Sequence, residues 1–99
     1  MNSARRKELR SIAHHLHPVI IVGDGGVSDA VINETNRALD DHELIKVKIN
    51  AFDREDRAAL GAHLTDACGA ELVQKIGKVL VLFRQNPDAK PALSNLTRK

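Results

Sequence analysis

Tryptophan and tyrosine are absent, and the two phenylalanines are Phe52 and Phe83. The core must therefore be aliphatic, and few rings remain to stack on nucleobases, which argues against base-by-base reading of unpaired strands. A single cysteine, Cys68, excludes an internal disulfide framework and fits a reducing compartment. No apolar run approaches the length of a membrane span, and residues 1–16 are too charged for a secretory leader. A cytoplasmic, monomeric protein is expected. Nucleotide-binding signatures are missing too: no Gly-Lys-Ser/Thr follows the glycine cluster, and no third spaced glycine opens a helix after it.

That cluster lies in the stretch around which the chain is organised, residues 18–32. Val19 to Val22 form a short, mostly β-branched apolar run, and Gly23-Asp24-Gly25-Gly26 stops it. A helix is expected directly afterwards, with Ser28 as cap, Asp29 in the first turn, and Val27 and Ile32 at the positions of a hydrophobic staple. A strand, a G-x-x-G loop and a helix N-terminus together can offer backbone N–H groups to a phosphate. On the motif alone a tight turn between two elements is the favoured reading, because G-x-x-G occurs by chance and lacks the longer patterns of a P-loop or Rossmann turn.

With 99 residues the chain fits one domain. Ser3 is the expected cap of a first helix reaching His15 or Leu16, with Leu9, Ile12, Ala13 and Leu16 as its apolar stripe. Arg6, Arg10, His14 and His17 form a basic stripe beside it, either solvated or set against an anion. A second helix is expected over residues 29–41, facing inward with Val31, Thr35, Ala38 and Leu39. Residues 43–49 then alternate, with Ile45, Val47 and Ile49 on one face and Leu44, Lys46 and Lys48 on the other. Asp53 caps a third helix with Leu60, Leu64, Ala67 and Cys68 inward, and Gly69 ends it. Two strands follow, at 71–76 and 78–83, joined so tightly at Gly77 that they must pair antiparallel. The order is α-β-α-β-α-β-β, an α/β fold whose first three strands run parallel and whose last runs against them. Residues 85–99 are rich in Asn, Pro, Ser and Lys, and read as a flexible basic tail.

Charge is distributed unevenly. Residues 1–22 carry Arg5, Arg6, Lys7 and Arg10 against Glu8, a balance of +3. Residues 84–99 carry the same balance, and the middle of the chain is acidic at −4. Cations at both ends suit an anionic partner gripped by a patch.

Two constellations invite chemistry without supporting it. His14-His15-Leu16-His17 includes one i, i+3 histidine pair, but no carboxylate or cysteine lies near it in sequence, and Pro18 ends the helix there. Cys68 lies on the apolar stripe of its helix with no local base signature, so it reads as a small core residue. No metal, cofactor or catalytic function is expected.

The blocks Ala13-His14, Pro18-Val19, Gly23-Asp24-Gly25-Gly26, Glu43-Leu44-Ile45-Lys46-Val47-Lys48, Gly69-Ala70, Gln74-Lys75-Ile76-Gly77-Lys78 and Leu80-Val81-Leu82-Phe83-Arg84 resemble, in order and spacing, the stand-alone bacterial YhbY proteins of the CRM-domain family. The resemblance covers residues 4–84. It implies a compact α/β domain with a mixed four-stranded sheet, similar to the C-terminal domain of bacterial translation initiation factor three, occupying residues 1–84. It also implies binding to structured RNA of the large ribosomal subunit precursor, with the G-x-x-G loop and the first helix in contact. The candidate RNA-binding residues are Arg5, Arg6, Lys7, Arg10 and His14 on the first helix, and Gly23, Asp24, Gly25 and Gly26 in the loop. Lys46, Lys48, Lys78 and Arg84 extend the set. Asp24 departs from relatives that carry a basic or neutral residue there, which leaves the loop backbone to meet any phosphate. Phe83 stands where relatives often have tyrosine, so a hydroxyl is lost and the ring is kept. The competing reading is a protein-interaction module that docks through a strand edge or the acidic second and third helices.

Overall fold

The computed structural model describes residues 1–96. Its elements, in chain order, are α1 (Ser3–Ala13), β1 (Pro18–Val22), α2 (Asp29–His42), β2 (Leu44–Ile49), α3 (Arg54–Ala67), β3 (Glu71–Ile76) and β4 (Val79–Phe83). The strict alternation in β2 sets up everything else. Ile45, Val47 and Ile49 are buried on one face, joined by Ile20, Val22, Leu80 and Leu82 from neighbouring strands and covered by Leu39 of α2 and Leu64 of α3. The opposite face is covered only in part, where Leu9 and Ala13 of α1 pack on Leu44, Val73, Val81 and Phe83. Each fully buried aliphatic side chain contributes about 1.5–3 kcal/mol, so the two clusters are the main stabilising term.

The sheet order is β1-β2-β4-β3. β1 pairs with β2 in parallel, and β4 lies between β2 and β3, antiparallel to both. The first three strands do run in one direction, as expected, but only one parallel ladder forms because the last strand inserts into the middle. The reversal between β3 and β4 uses Gly77 at φ 57° and borrows Lys78 as its second residue.

Local signals explain the helix ends. Ser28 caps α2, its hydroxyl accepting from the Val31 N–H at 3.2 Å, and Asp53 caps α3, accepting from the Glu55 N–H at 2.9 Å. α1 begins one residue earlier than expected: Asn2, not Ser3, is its cap and accepts from the Arg5 N–H at 2.7 Å. α3 departs from its expected stripe. Ala67 is exposed, while Gly61 faces the sheet, where an added Cβ would stand 2.8 Å from Leu80 Cδ1.

The segment after β4 does not match the expected flexible tail over its described part. It folds back against the junction of α2 and β2, with the Asn95 N–H donating to the His42 carbonyl and Asn95 Nδ2 to the Leu44 carbonyl, at 2.9 and 2.6 Å. Leu96 is buried in the α1 cluster. Glu43 clasps this arm, accepting from the Asn86 N–H at 2.7 Å and from the Ser94 hydroxyl at 2.8 Å. It does so from a left-handed backbone, φ 64°, in the one-residue link between α2 and β2. Polar composition alone points to disorder, whereas these part-buried hydrogen bonds and one apolar anchor order the segment. Residues 97–99 of the expected tail lie outside the described residues.

Candidate nucleic-acid interface

The half of the sheet left bare by α1 is a surface that pairing geometry defines residue by residue. Ile21 pairs with Lys48, Lys48 with Val79, and Val79 with Ile76, so these four form one row across all the strands. Ile21 is 64% exposed and Ile76 53%. In the next row Lys46 pairs with Val81, which lies at the edge of the α1 contact. Lys7, Arg10 and His14 project from α1 over this edge and, with Lys46 and Gln74, line a groove of about 360 Å³. Sequence spacing alone did not place Lys46 beside α1. The chain brings them together because the face of β2 that carries Leu44 and Lys46 is the one on which α1 lies.

Lys7, Arg10, Lys46, Lys48 and Lys78 make no ion pair or side-chain hydrogen bond among the described residues. Unpaired cations on one face give a positive potential that an internal ion pair would cancel. Three other cations from the expected set are committed to the fold instead. Arg84 donates from Nη1 to Asn36 Oδ1 and the Cys68 carbonyl, and from Nη2 to the Asn36 carbonyl and Asp40 Oδ1. It follows Phe83 in the strand alternation and so turns towards α2, away from the cationic groove. Arg6 donates from Nη1 to the carbonyls of Leu72 and Val73, at 2.9 and 2.8 Å, where the β3 register shifts. Arg5 pairs with Glu8 at 2.8 Å and lies over the Phe83 ring, 5.3 Å from its centroid.

The glycine loop lies at the end of β1, at the same end of the sheet as the Gly77-Lys78 reversal: Ile49, the pairing partner of Val22, donates its N–H to the Lys78 carbonyl at 2.7 Å. Part of its donor capacity is already used, by Gly26 N–H to the Gly23 carbonyl and Ser28 N–H to the Gly26 carbonyl. Gly26 needs its residue type for a positive φ of 68°. Gly23 and Gly25 do not: neither has a positive φ, and an added Cβ would meet nothing within 4 Å. Both are exposed, so their lack of a side chain serves no packing need within the domain.

Cys68 is buried, and desolvation pushes its thiol up from the ordinary 9.0, opposed by the nearby Arg84 guanidinium. Among the described residues no group of three or more His, Cys, Asp or Glu side chains is placed to hold a metal ion, and no helix is long and apolar enough to cross a membrane.

A single mixed sheet, helices on both faces, and one face half bare and lined with unpaired cations define a small α/β domain with an open, positively charged surface. The family model for the CRS1/YhbY (CRM) domain matches residues 1–84. The chain belongs to that family. It is 44% identical over 98 residues to a Pseudomonas aeruginosa protein named as a probable RNA-binding protein, covering 99% of this chain and 94% of the relative. It is 38% identical over 90 residues to a Haemophilus influenzae protein named RNA-binding protein, covering 91% of each. The solution structure of a Staphylococcus aureus protein, described as a putative RNA binding protein, superposes with a TM-score of 0.77 at 32% identity, covering 91% of this chain and 94% of the other.

Proposed function

We propose that this protein is an RNA-binding accessory factor that docks on structured ribosomal RNA of the large-subunit precursor and assists assembly without chemistry of its own. The observation that carries the reading is the groove in which Lys7, Arg10 and His14 of α1 meet Lys46 of the sheet, with the three strong cations left unpaired. Phosphates bind across this groove, and Lys48 and Lys78 extend it towards the glycine loop. Cations spread over an open surface suit a folded RNA recognised by shape and backbone. The names of the relatives support RNA as the partner, and the resemblance to the YhbY proteins supports the ribosomal target.

Counterion release tests the contact. Lys7→Ala, Arg10→Ala and Lys46→Ala together should lower the log–log salt slope of RNA binding by about 2–3 units. An unchanged slope would remove the groove from the interface. For the target, the protein should sediment with large-subunit precursors at low salt and be released by high salt or nuclease. Association that survives both treatments favours a protein partner instead, a reading supported by Val19 and Ile21, which are 53% and 64% exposed on the edge strand β1.

A further inference from the structure

Phe52 is 98% exposed, although the backbone that carries it is firmly held. The Asn50 N–H donates to the Val22 carbonyl at 2.8 Å, Arg57 Nη1 donates to the carbonyls of Ala51 and Phe52, and Asp53 caps α3. A phenyl ring presented to water by a braced loop is an unusual use of one of only two phenylalanines. Phe52 lines a groove of about 530 Å³ together with Gly23, Ala59 and Leu60, and Asp24 and Asp56 are among its lining residues. Neither carboxylate has a hydrogen bond or ion pair with any described residue.

Two free carboxylates repel phosphate, so this groove is not where the RNA backbone lies. They accept hydrogen bonds, and a ring beside acceptors suits a flat group with donors along one edge. Guanine alone among the four bases has two adjacent donors, N1–H and the N2 amino group, which a carboxylate can accept as a pair. Adenine and cytosine place an acceptor beside their amino group, and uracil flanks its one N–H with carbonyls.

We propose that the groove between the glycine loop and α3 is a pocket for an unpaired guanine of the bound RNA, stacked on Phe52 with its donor edge turned to Asp24 and Asp56. The inference rests on the RNA-binding reading. It gives Asp24 a role that a phosphate clamp does not, and it accounts for Gly23, where a methyl group would project into space the domain leaves empty.

The test uses fluorescence anisotropy with hairpin RNAs that share one stem and carry a uridine loop with a single central guanosine, adenosine or inosine. The guanosine loop should bind about tenfold tighter than the adenosine loop, in the range of one bidentate base contact, with inosine, which lacks the amino group, between them. Phe52→Ala and Asp56→Asn should each abolish the preference, Phe52→Ala weakening the guanosine loop most, while the salt-sensitive binding through Lys7, Arg10 and Lys46 persists in both. Because the chain lacks tryptophan, Phe52→Trp supplies a single reporter whose emission should be quenched by the guanosine loop only. Equal affinity for all three loops overturns the guanine pocket, while the RNA reading survives if salt-sensitive binding persists. A guanosine preference retained in Phe52→Ala overturns it as well, as does concentration-dependent self-association that is lost in that variant. Absence of salt-sensitive RNA binding by the wild-type protein overturns both readings.

Discussion

Arg84 Nη1 lies 2.6 Å from the carbonyl oxygen of Cys68, so the cation that closes β4 also caps the C-terminal end of α3. The same guanidinium reaches Asp40 at 2.7 Å with its other terminal nitrogen. One side chain thus ties both helices of one layer to the strand beneath them. Arg84→Met should lower the stability to urea by about 1.5–3 kcal/mol, the range for hydrogen bonds to a charged group. The salt slope of RNA binding should not change, which separates Arg84 from the groove cations.

Arg6 and Lys7 are neighbours in sequence with opposite expected effects. Arg6→Ala strands the carbonyls of Leu72 and Val73 at the irregular part of β3, and should cost about 1–3 kcal/mol of stability. Lys7→Ala should stay within about 0.5 kcal/mol of wild type and lower the salt slope by about one unit. Urea melts and salt titrations of the two variants check both halves of this contrast.

The loop glycines divide in the same way. Gly26→Ala forces a side chain into the left-handed region and should destabilise by about 1–2 kcal/mol. Gly25→Ala should leave the melting temperature unchanged or raise it slightly, because the unfolded chain loses freedom and the folded one loses nothing. If RNA approaches the loop closely, Gly25→Ala weakens binding even so. Thermal melts read against binding isotherms distinguish the two substitutions.

The Cys68 thiol supplies a pH dependence whose sign is fixed. Burial raises its folded-state pKa above the ordinary 9.0, so the unfolded chain loses the proton first as pH rises. The folded state then holds more protons, and stability falls with pH above that value. Its contribution is complete at neutral pH. The wild-type protein should therefore lose more stability than Cys68→Ala between neutral pH and the region above 9.0, and native Cys68 should react slowly with a thiol reagent.

How much of this could be seen in the sequence depended on whether the signal was local. The alternation of Ile45, Val47 and Ile49, the caps Ser28 and Asp53, and the glycine at position 77 all act within a few residues, and each appears where expected. The basic run of α1 was visible as charge, but Arg5, Arg6, Lys7 and Arg10 were indistinguishable until the β3 carbonyls, Glu8 and the Phe83 ring appeared beside them. Arg84 reads as one more cation beside Lys78 because its partners Asn36 and Asp40 lie more than 40 residues earlier in the chain. The bare row from Ile21 to Ile76 was hidden for the same reason: it exists only once β4 has inserted between β2 and β3. Phe52 carried no local sign of exposure, since an aromatic beside a helix cap is as readily a core residue.

The placement of β4 also bears on the order in which the protein becomes competent during synthesis. β2 leaves the ribosome well before its second neighbour in the sheet, β4, and before the Leu96 anchor beneath α1. Until they do, β1 and β2 can form only a two-stranded ribbon, too small to hold α1 in place. A nascent chain therefore has the cations of α1 early but not the platform that arranges them beside Lys46, and that arrangement is complete only when β4 has closed the sheet.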